Sequence, residues 1–136
     1  AMSSSFLANA PGLGVNYSLY AIPVGWLVSQ APLFWAISAA NKVAPGAYDN
    51  AHPKESWANL DKRGLDKTLA RRVGRAVAAN NNGHTNLSLF AAAIVAANAA
   101  HVPVKKIHTL AASYLGLRTL YNLAYIFIEE DTVAYV

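Results

Sequence analysis

The sequence predicts an all-α integral membrane protein, a helical bundle in which three helices of this chain cross the bilayer. Two long stretches without Asp, Glu, Lys or Arg support this prediction, one over residues 1–41 and the other over residues 76–104. A helix needs about 20 apolar residues to span the hydrocarbon core, and both stretches are longer. Helices of water-soluble domains normally carry charged residues on a solvent-facing side, so these stretches favour a lipid environment.

Composition narrows the classes of protein further. Of the 136 residues, 54% are hydrophobic and 13% are charged, against about 25% charged residues in an average soluble domain. A single domain over residues 1–136 is expected. The chain has no cysteine, which excludes a disulfide framework, a thiolate metal site and a cysteine nucleophile. The net charge of +4 comes from basic residues mixed with acids in one segment, so nucleic acid is not an expected partner.

The first helix is predicted at about 15–40, after a short lead over residues 3–14 and an Ala-Met pair typical of a cloning remnant. It contains Pro23 and Pro32, which membrane helices tolerate because neighbouring groups satisfy the freed carbonyls. Its apolar core begins late and is too long for a secretory signal peptide.

A polar loop over residues 41–68 follows, with one or two helical turns between several turn formers. Residues 42–75 hold twelve of the eighteen charges, and eight of these are basic, against two basic residues in the turn at 101–106. The excess of basic residues predicts that the 42–75 segment is cytoplasmic. The protein would then be multi-pass, in the endoplasmic reticulum of a eukaryote or the inner membrane of a bacterium, with the acids at 129–131 on the cytoplasmic side.

The second helix is predicted at about 69–100, with Asp66 as its N-cap. Amides, a histidine and hydroxyls interrupt its apolar stretch, and a helix surrounded only by lipid would not carry so many. Arg75, Asn82 and Asn86 share one face of this helix at i, i+7 and i+11. Hydrogen bonds between helices would explain any single amide, but the cluster beside arginines favours a polar ligand site.

The third helix is predicted at about 107–128, with Arg118 as its only charged residue. Arg118, Tyr121 and Tyr125 lie on one stripe because their spacings are 3 and 4 residues. An arginine within a membrane helix is a candidate functional residue. Since the second helix offers no acid, its partner would be a ligand, another subunit or backbone carbonyls. The tyrosines would either donate to an anionic substrate or pack with a polar tip.

The four histidines show no spacing typical of metal ligands, so no metal site is expected. His84, on the second helix, is the candidate for acid–base chemistry because an imidazole exchanges protons near neutral pH. The alternative is a packed or hydrogen-bonded side chain.

Three segments resemble the MAPEG family, the membrane-associated proteins in eicosanoid and glutathione metabolism, and especially its small bacterial and fungal members. The segments read YDNAHPKESWANLDK, RAVAANNNGHTNLSLFAAAIVAA and RTLYNLAYIF, in the order of the family motifs. The resemblance implies a left-handed bundle of four helices, three of them in this chain, that assembles as a homotrimer. It also implies glutathione bound between subunits near the cytoplasmic face, and a hydrophobic small-molecule substrate that arrives through membrane lipid.

Matching the motifs residue by residue assigns roles to particular side chains. Thr85 and Ser88 stand where the family has glutamate and proline, and no arginine follows Arg118 in this chain. Asn86 is added because it shares the face of Arg75 and Asn82, and His84 is added as the candidate for acid–base chemistry. The residues nominated for binding glutathione are then Arg75, Asn82, Asn86 and Arg118, and those nominated for catalysis are Tyr121, Tyr125 and His84.

The predicted function is a glutathione-dependent transferase, peroxidase or isomerase that acts on a lipophilic molecule through an arginine-stabilised thiolate. Two alternatives stay open. One is an enzyme of the same fold that does not use glutathione and relies on His84, and the other is a non-catalytic trimeric membrane scaffold.

Overall fold

The computed structural model describes residues 15–128, and this part of the chain is helical without any strand. The prediction of an all-α fold is therefore confirmed. Residues 1–14 and 129–136, which include the predicted lead and the acids assigned to the cytoplasmic side, lie outside the described residues. The elements in chain order are a 3-10 turn at Ser18–Tyr20, α1 at Ala21–Val43, α2 at Pro53–Ala58, a 3-10 turn at Asp61–Arg63, α3 at Lys67–Ala99 and α4 at Val104–Phe127.

The first helix is apolar and long enough to cross a membrane. By length and composition, Ser18–Val43 is the one segment between residues 15 and 128 that meets this requirement. Helices α3 and α4 contain 33 and 24 residues, but amide, hydroxyl and basic side chains lower their hydropathy. The polar residues that suggest a site on these two helices thus also weaken their membrane signal.

Local hydrogen bonds determine where α1 and α3 begin. Asn16 Oδ1 accepts hydrogen bonds from the backbone N–H and the hydroxyl of Ser18 at 3.0 and 2.6 Å. This turn holds the start of the chain out of the helix, so α1 begins at Ala21. Asp66 caps α3 as predicted, since its Oδ1 accepts from the Leu69 N–H at 2.7 Å.

Helix α4 begins three residues earlier than predicted because the Pro103 carbonyl accepts from the N–H groups of Lys106 and Ile107. Proline is well tolerated at a helix start. Lys105 therefore lies on α4 together with Lys106, and the prediction that Arg118 is the only charged residue of this helix is wrong.

Helix α1 packs mainly against α3 through small residues. Its buried stripe recurs every three or four positions and consists of Ala21, Gly25, Ser29, Pro32, Ala36 and Ala40. On the facing side of α3, a Cβ atom at Gly83 would lie 2.8 Å from the Cβ and Oγ of Ser29. This separation is too short for any side chain, so glycine is required at the crossing. Small residues let the two backbones approach closely, as in membrane helix pairs.

Pro32 lies within α1 and connects this helix to α4. Proline has no N–H, so the Val28 carbonyl loses the donor that a helix normally supplies four residues later. Asn122 of α4 is buried, and its Nδ2 donates to this carbonyl at 3.0 Å. The side-chain amide thus replaces the missing backbone donor and fastens α4 to the middle of α1.

We expect the cost of Asn122→Leu to depend on Pro32. In the natural chain the substitution should lower the free energy of unfolding by about 1 kcal/mol, the usual scale for such a bond between membrane helices. In a Pro32→Ala background the helix supplies its own donor, so the same substitution should cost less. Denaturant unfolding of the four proteins in a double-mutant cycle measures the difference, and equal costs in both backgrounds would contradict the assignment.

The polar loop carries two short helical segments, as predicted, and Asp49 organises the turn before α2. Its Oδ1 accepts from the Ala51 N–H at 2.8 Å, and its Oδ2 lies 3.1 Å from His52 Nδ1. The pKa of Asp49 is lowered, first by the Ala51 N–H and then by His52. Farther along, the Arg63 guanidinium donates to the carbonyls of Gly46 and Ala47 and ties the two ends of the loop together.

Acid should loosen this turn only at pH values below the ordinary pKa of an aspartate side chain. Because the folded pKa of Asp49 is depressed, its stabilising effect is complete above the unfolded pKa of about 3.9 and is lost as the pH falls through the folded value. The NMR amide signal of Ala51 should therefore titrate with a midpoint below 3.9, and Asp49→Asn should remove this titration. A midpoint at or above the ordinary value would contradict the prediction.

Candidate functional site

Six of the seven nominated residues lie on or beside the facing sides of α3 and α4, a surface named the arginine groove. On the α4 side, the rings of Tyr121 and Tyr125 stack with centroids 5.5 Å apart and an angle of 14° between their planes. An arginine lies against each ring. The Arg118 guanidinium is 4.5 Å from the Tyr121 centroid, and that of Arg75 is 5.5 Å from the Tyr125 centroid, both within the range of cation–π attraction.

Backbone carbonyls hold both guanidinium groups. Arg118 Nη2 donates to the Ala79 carbonyl on α3 at 2.9 Å, and Arg75 Nη2 donates to the Ile128 carbonyl. The Nε of Arg118 is buried and has no hydrogen-bond partner within residues 15–128. The two arginines are thus oriented by the protein, and Arg118 keeps one buried donor without a partner in this part of the chain.

Asn82 and Asn86 occupy the same face of α3. Asn82 Nδ2 lies 3.4 Å from the Tyr121 hydroxyl oxygen, a long hydrogen bond in which the amide donates. Asn86 instead donates to the Asn82 carbonyl of its own helix at 2.9 Å and is exposed. Within residues 15–128 Asn86 therefore makes no hydrogen bond to α4, although it shares the face that the sequence predicts.

The charge of the groove is positive and is not neutralised by its own helices. From Lys67 to Ile128 the chain contains seven basic residues and no Asp or Glu. Neither Arg75 nor Arg118 forms an ion pair with a residue between 15 and 128. A partly buried cation without a carboxylate partner attracts an anionic ligand, because the low dielectric strengthens the interaction.

His84 lies on the other side of α3, against α1, and is not part of this groove. Its Nε2 is 2.7 Å from Gln30 Oε1, which also accepts from Asn80 Nδ2 at 2.8 Å. The proposed catalytic grouping of His84 with Tyr121 and Tyr125 is therefore not brought together within one chain. Sequence reasoning did not nominate Gln30, although an amide within an otherwise apolar helix is a signal that a polar partner exists.

An apolar cleft of about 230 Å³ lies between α1 and α4. Its walls include Val28, Pro32 and Trp35 of α1 and Asn122 and Phe127 of α4. No charged side chain lines it, so it suits the apolar part of a molecule and not an anionic cofactor. Within residues 15–128 no group of three His, Asp or Glu side chains is placed to hold a metal ion.

Comparison with known families shows to which family this chain belongs. The model of the MAPEG family matches residues 19–132, which include all four helices described above. The chain belongs to the MAPEG family. The resemblance drawn from the loop and helix motifs is thereby confirmed, and membership makes this a membrane-associated protein, consistent with its apolar α1. No curated protein and no solved structure matches this MAPEG chain.

Proposed function

We propose that this MAPEG chain is a multi-pass membrane enzyme that binds glutathione in the groove between α3 and α4 and acts on a lipophilic small molecule. The reaction class is conjugation, peroxide reduction or isomerisation. In this proposal α1, α3 and α4 span the membrane, and the excess of basic residues puts the 42–75 segment on the cytoplasmic side. The membrane would be the endoplasmic reticulum of a eukaryote or the inner membrane of a bacterium.

The observation that carries this proposal is the pair of arginines that have no carboxylate partner among residues 15–128. Arg75 and Arg118 lie against a stacked pair of tyrosines, and the buried Nε of Arg118 has no hydrogen-bond partner within residues 15–128. Glutathione is a tripeptide with two carboxylates, and arginine binds carboxylates through two parallel hydrogen bonds. If the polar side chains served only to hold α3 and α4 together, neutral residues would be sufficient and two cations would not be needed.

The groove can also favour the ionised form of a thiol. Asn82 donates to the Tyr121 oxygen, so the phenolic hydrogen of Tyr121 is free to donate to a ligand. A positive charge and a hydroxyl donor both lower the pKa of a nearby thiol. Thr85 stands where the family has a carboxylate, so the ammonium group of glutathione would meet only neutral acceptors, and binding would depend mainly on the carboxylates.

A homotrimer accounts for the polar residues that the single chain leaves uncovered. Asn81, Thr85 and Ser88 follow one another along an exposed stripe of α3. The Thr85 hydroxyl donates to the Asn81 carbonyl of its own helix at 3.0 Å, but the Asn81 amide and the Ser88 hydroxyl have no partner within residues 15–128. In hydrocarbon each unsatisfied polar group costs several kcal/mol, so a second copy is expected to cover this stripe. Native mass spectrometry of the detergent-solubilised protein tests the stoichiometry, and a monomer with full activity would contradict it.

Thiolate absorbance tests the proposed function. Titrating glutathione into the detergent-solubilised full-length protein should produce a saturable ultraviolet signal from the thiolate. S-methylglutathione has the same carboxylates but no ionisable thiol, and it should compete without producing the signal. A protein that gives neither the signal nor competition does not bind glutathione in this way, and the scaffold or a different substrate would then be favoured.

A further inference from the structure

The polar cluster between α1 and α3 determines which nitrogen of His84 carries hydrogen. The Ser29 carbonyl can only accept a hydrogen bond. Asn80 Nδ2 lies 2.9 Å from this carbonyl and 2.8 Å from the side-chain amide of Gln30. The NH₂ group of Asn80 must therefore face both, and it uses its two hydrogens there.

The orientation of Gln30 follows, because a donor needs an acceptor. Gln30 must turn its oxygen towards Asn80, and the same oxygen lies 2.7 Å from His84 Nε2. Two acceptors cannot share a hydrogen bond without a hydrogen, so His84 Nε2 carries one. In the neutral imidazole the other nitrogen, Nδ1, then has a free lone pair.

In the single chain His84 Nδ1 is open to a ligand. His84 lies next to Asn81 and Ser88 on α3, so in the proposed oligomer the site would border the interface with a second copy. The Nδ1 nitrogen has no hydrogen-bond partner within residues 15–128, and it is not one of the fully buried polar atoms that lack a partner in this region. The Trp26 ring lies 6.5 Å from the imidazole, edge to face, and Trp26 is 45% exposed. The only charged residue of α1 is Lys42 at its far end, so no charged side chain of this helix competes for the lone pair.

We infer that His84, with Gln30 and Asn80 as positioning residues, forms a second ligand site on the side of α3 opposite to the arginine groove. Its ligand class is an apolar molecule with one weakly acidic O–H, N–H or S–H group. The apolar part would lie against Trp26, and the acidic hydrogen would point at Nδ1. The inference does not depend on glutathione.

The same geometry allows a proton to move. When the ligand's X–H bond breaks, its electron pair stays on X and the proton passes to Nδ1, which gives an imidazolium. The Nε2 hydrogen keeps its bond to Gln30 throughout, so the ring does not need to turn. A fixed tautomer of this kind is how proteins prepare a histidine to act as a base.

Ring ¹⁵N chemical shifts test the tautomer in the unaltered protein. With histidine labelled, the neutral form of His84 should show a protonated Nε2 and an unprotonated Nδ1. Gln30→Leu should allow a mixture of both tautomers. A neutral His84 with hydrogen on Nδ1 in the unaltered protein would overturn the inference, whether or not any variant folds.

A lipophilic nitrophenol tests the ligand class. An alkyl-substituted 4-nitrophenol should bind the detergent-solubilised protein, and His84→Gln should weaken it about tenfold, the scale of one lost hydrogen bond. The corresponding methyl ether has no acidic hydrogen, so its affinity should not change in this variant. His101→Gln, in the exposed turn before α4, is the matched control and should leave both ligands unaffected.

The outcomes separate this site from the arginine groove. Arg118→Gln should leave nitrophenol affinity unchanged, and a loss there would place the phenol in the groove and overturn the inference. Equal affinities of the phenol and its ether would overturn it as well. Glutathione titration of His84→Gln should still give the thiolate signal, so a failure of the proposed function and a failure of this site are told apart.

Discussion

Replacing Gly83 with alanine should lower the free energy of unfolding by about 1–3 kcal/mol, the usual cost of overpacking a close contact. The added Cβ would lie 2.8 Å from Ser29 Cβ and Oγ and 3.0 Å from Ser29 Cα. The Cα belongs to the backbone of α1 and cannot rotate away, so the two helices must separate. The movement would also disturb the bonds of Asn80 to α1, because they cross the same contact.

Gly116→Ala is the matched control, since no atom lies within 4 Å of a Cβ built there. Alanine is a better helix former than glycine by about 1 kcal/mol, so this variant should be as stable as the natural chain or more so. Denaturant unfolding in detergent, followed by far-ultraviolet circular dichroism, compares the two. Adding Ser29→Gly to Gly83→Ala removes two of the three short contacts and should recover part of the loss. Equal stability of Gly83→Ala and Gly116→Ala would show that the helices do not approach this closely.

Replacing Arg118 with glutamine should weaken glutathione binding by about 10- to 100-fold, because a hydrogen bond to a charged group contributes about 1.5–3 kcal/mol. Glutamine keeps a donor that can reach the Ala79 carbonyl but removes the positive charge next to Tyr121. The thiolate signal should fall even when the binding sites are saturated, since the cation favours the ionised thiol. Arg118→Lys keeps the charge but not the planar pair of donors, and it should retain part of the signal.

Arg71→Gln is the control for this experiment. Arg71 is an exposed arginine on α3 that lines a separate surface cleft with Trp57 and Asp61, and its loss changes the net charge by the same amount. If Arg71→Gln and Arg118→Gln weaken glutathione binding equally, the effect is general electrostatic attraction and the groove is not the site. If neither variant changes binding, the proposal for Arg118 is wrong.

Much of the fold follows from sequence patterns that act locally. Charge-free stretches predict the helices, and Asp66 predicts the start of α3 because an N-cap is a contact within four residues. The predicted start of α4 lies three residues too late, because the Pro103 carbonyl already accepts helical hydrogen bonds before the apolar stretch begins. The contact between Asn122 and the Val28 carbonyl links residues 94 positions apart, and a local pattern does not specify such a pair.

The candidate site follows the same division. The stripe of Arg118, Tyr121 and Tyr125 is a property of one helix, and the structure places these residues together. The role of His84 depends on Gln30, which lies on a different helix. The sequence alone nominates His84 for catalysis together with the tyrosines, whereas the structure places His84 on the opposite side of α3.

By itself the sequence determined the helical class, the family, the positions of the charges and the relative angles of side chains along each helix. Only the tertiary structure decided which neighbour each face meets. Helical periodicity gives angles around one axis but contains no information about the rotation of that helix in the bundle. That rotation is set by the close contact of Gly83 with Ser29 and by the bond from Asn122 to the carbonyl that Pro32 leaves without a donor. These contacts turn Arg75 of α3 towards α4, Arg118 of α4 towards α3, and His84 towards α1.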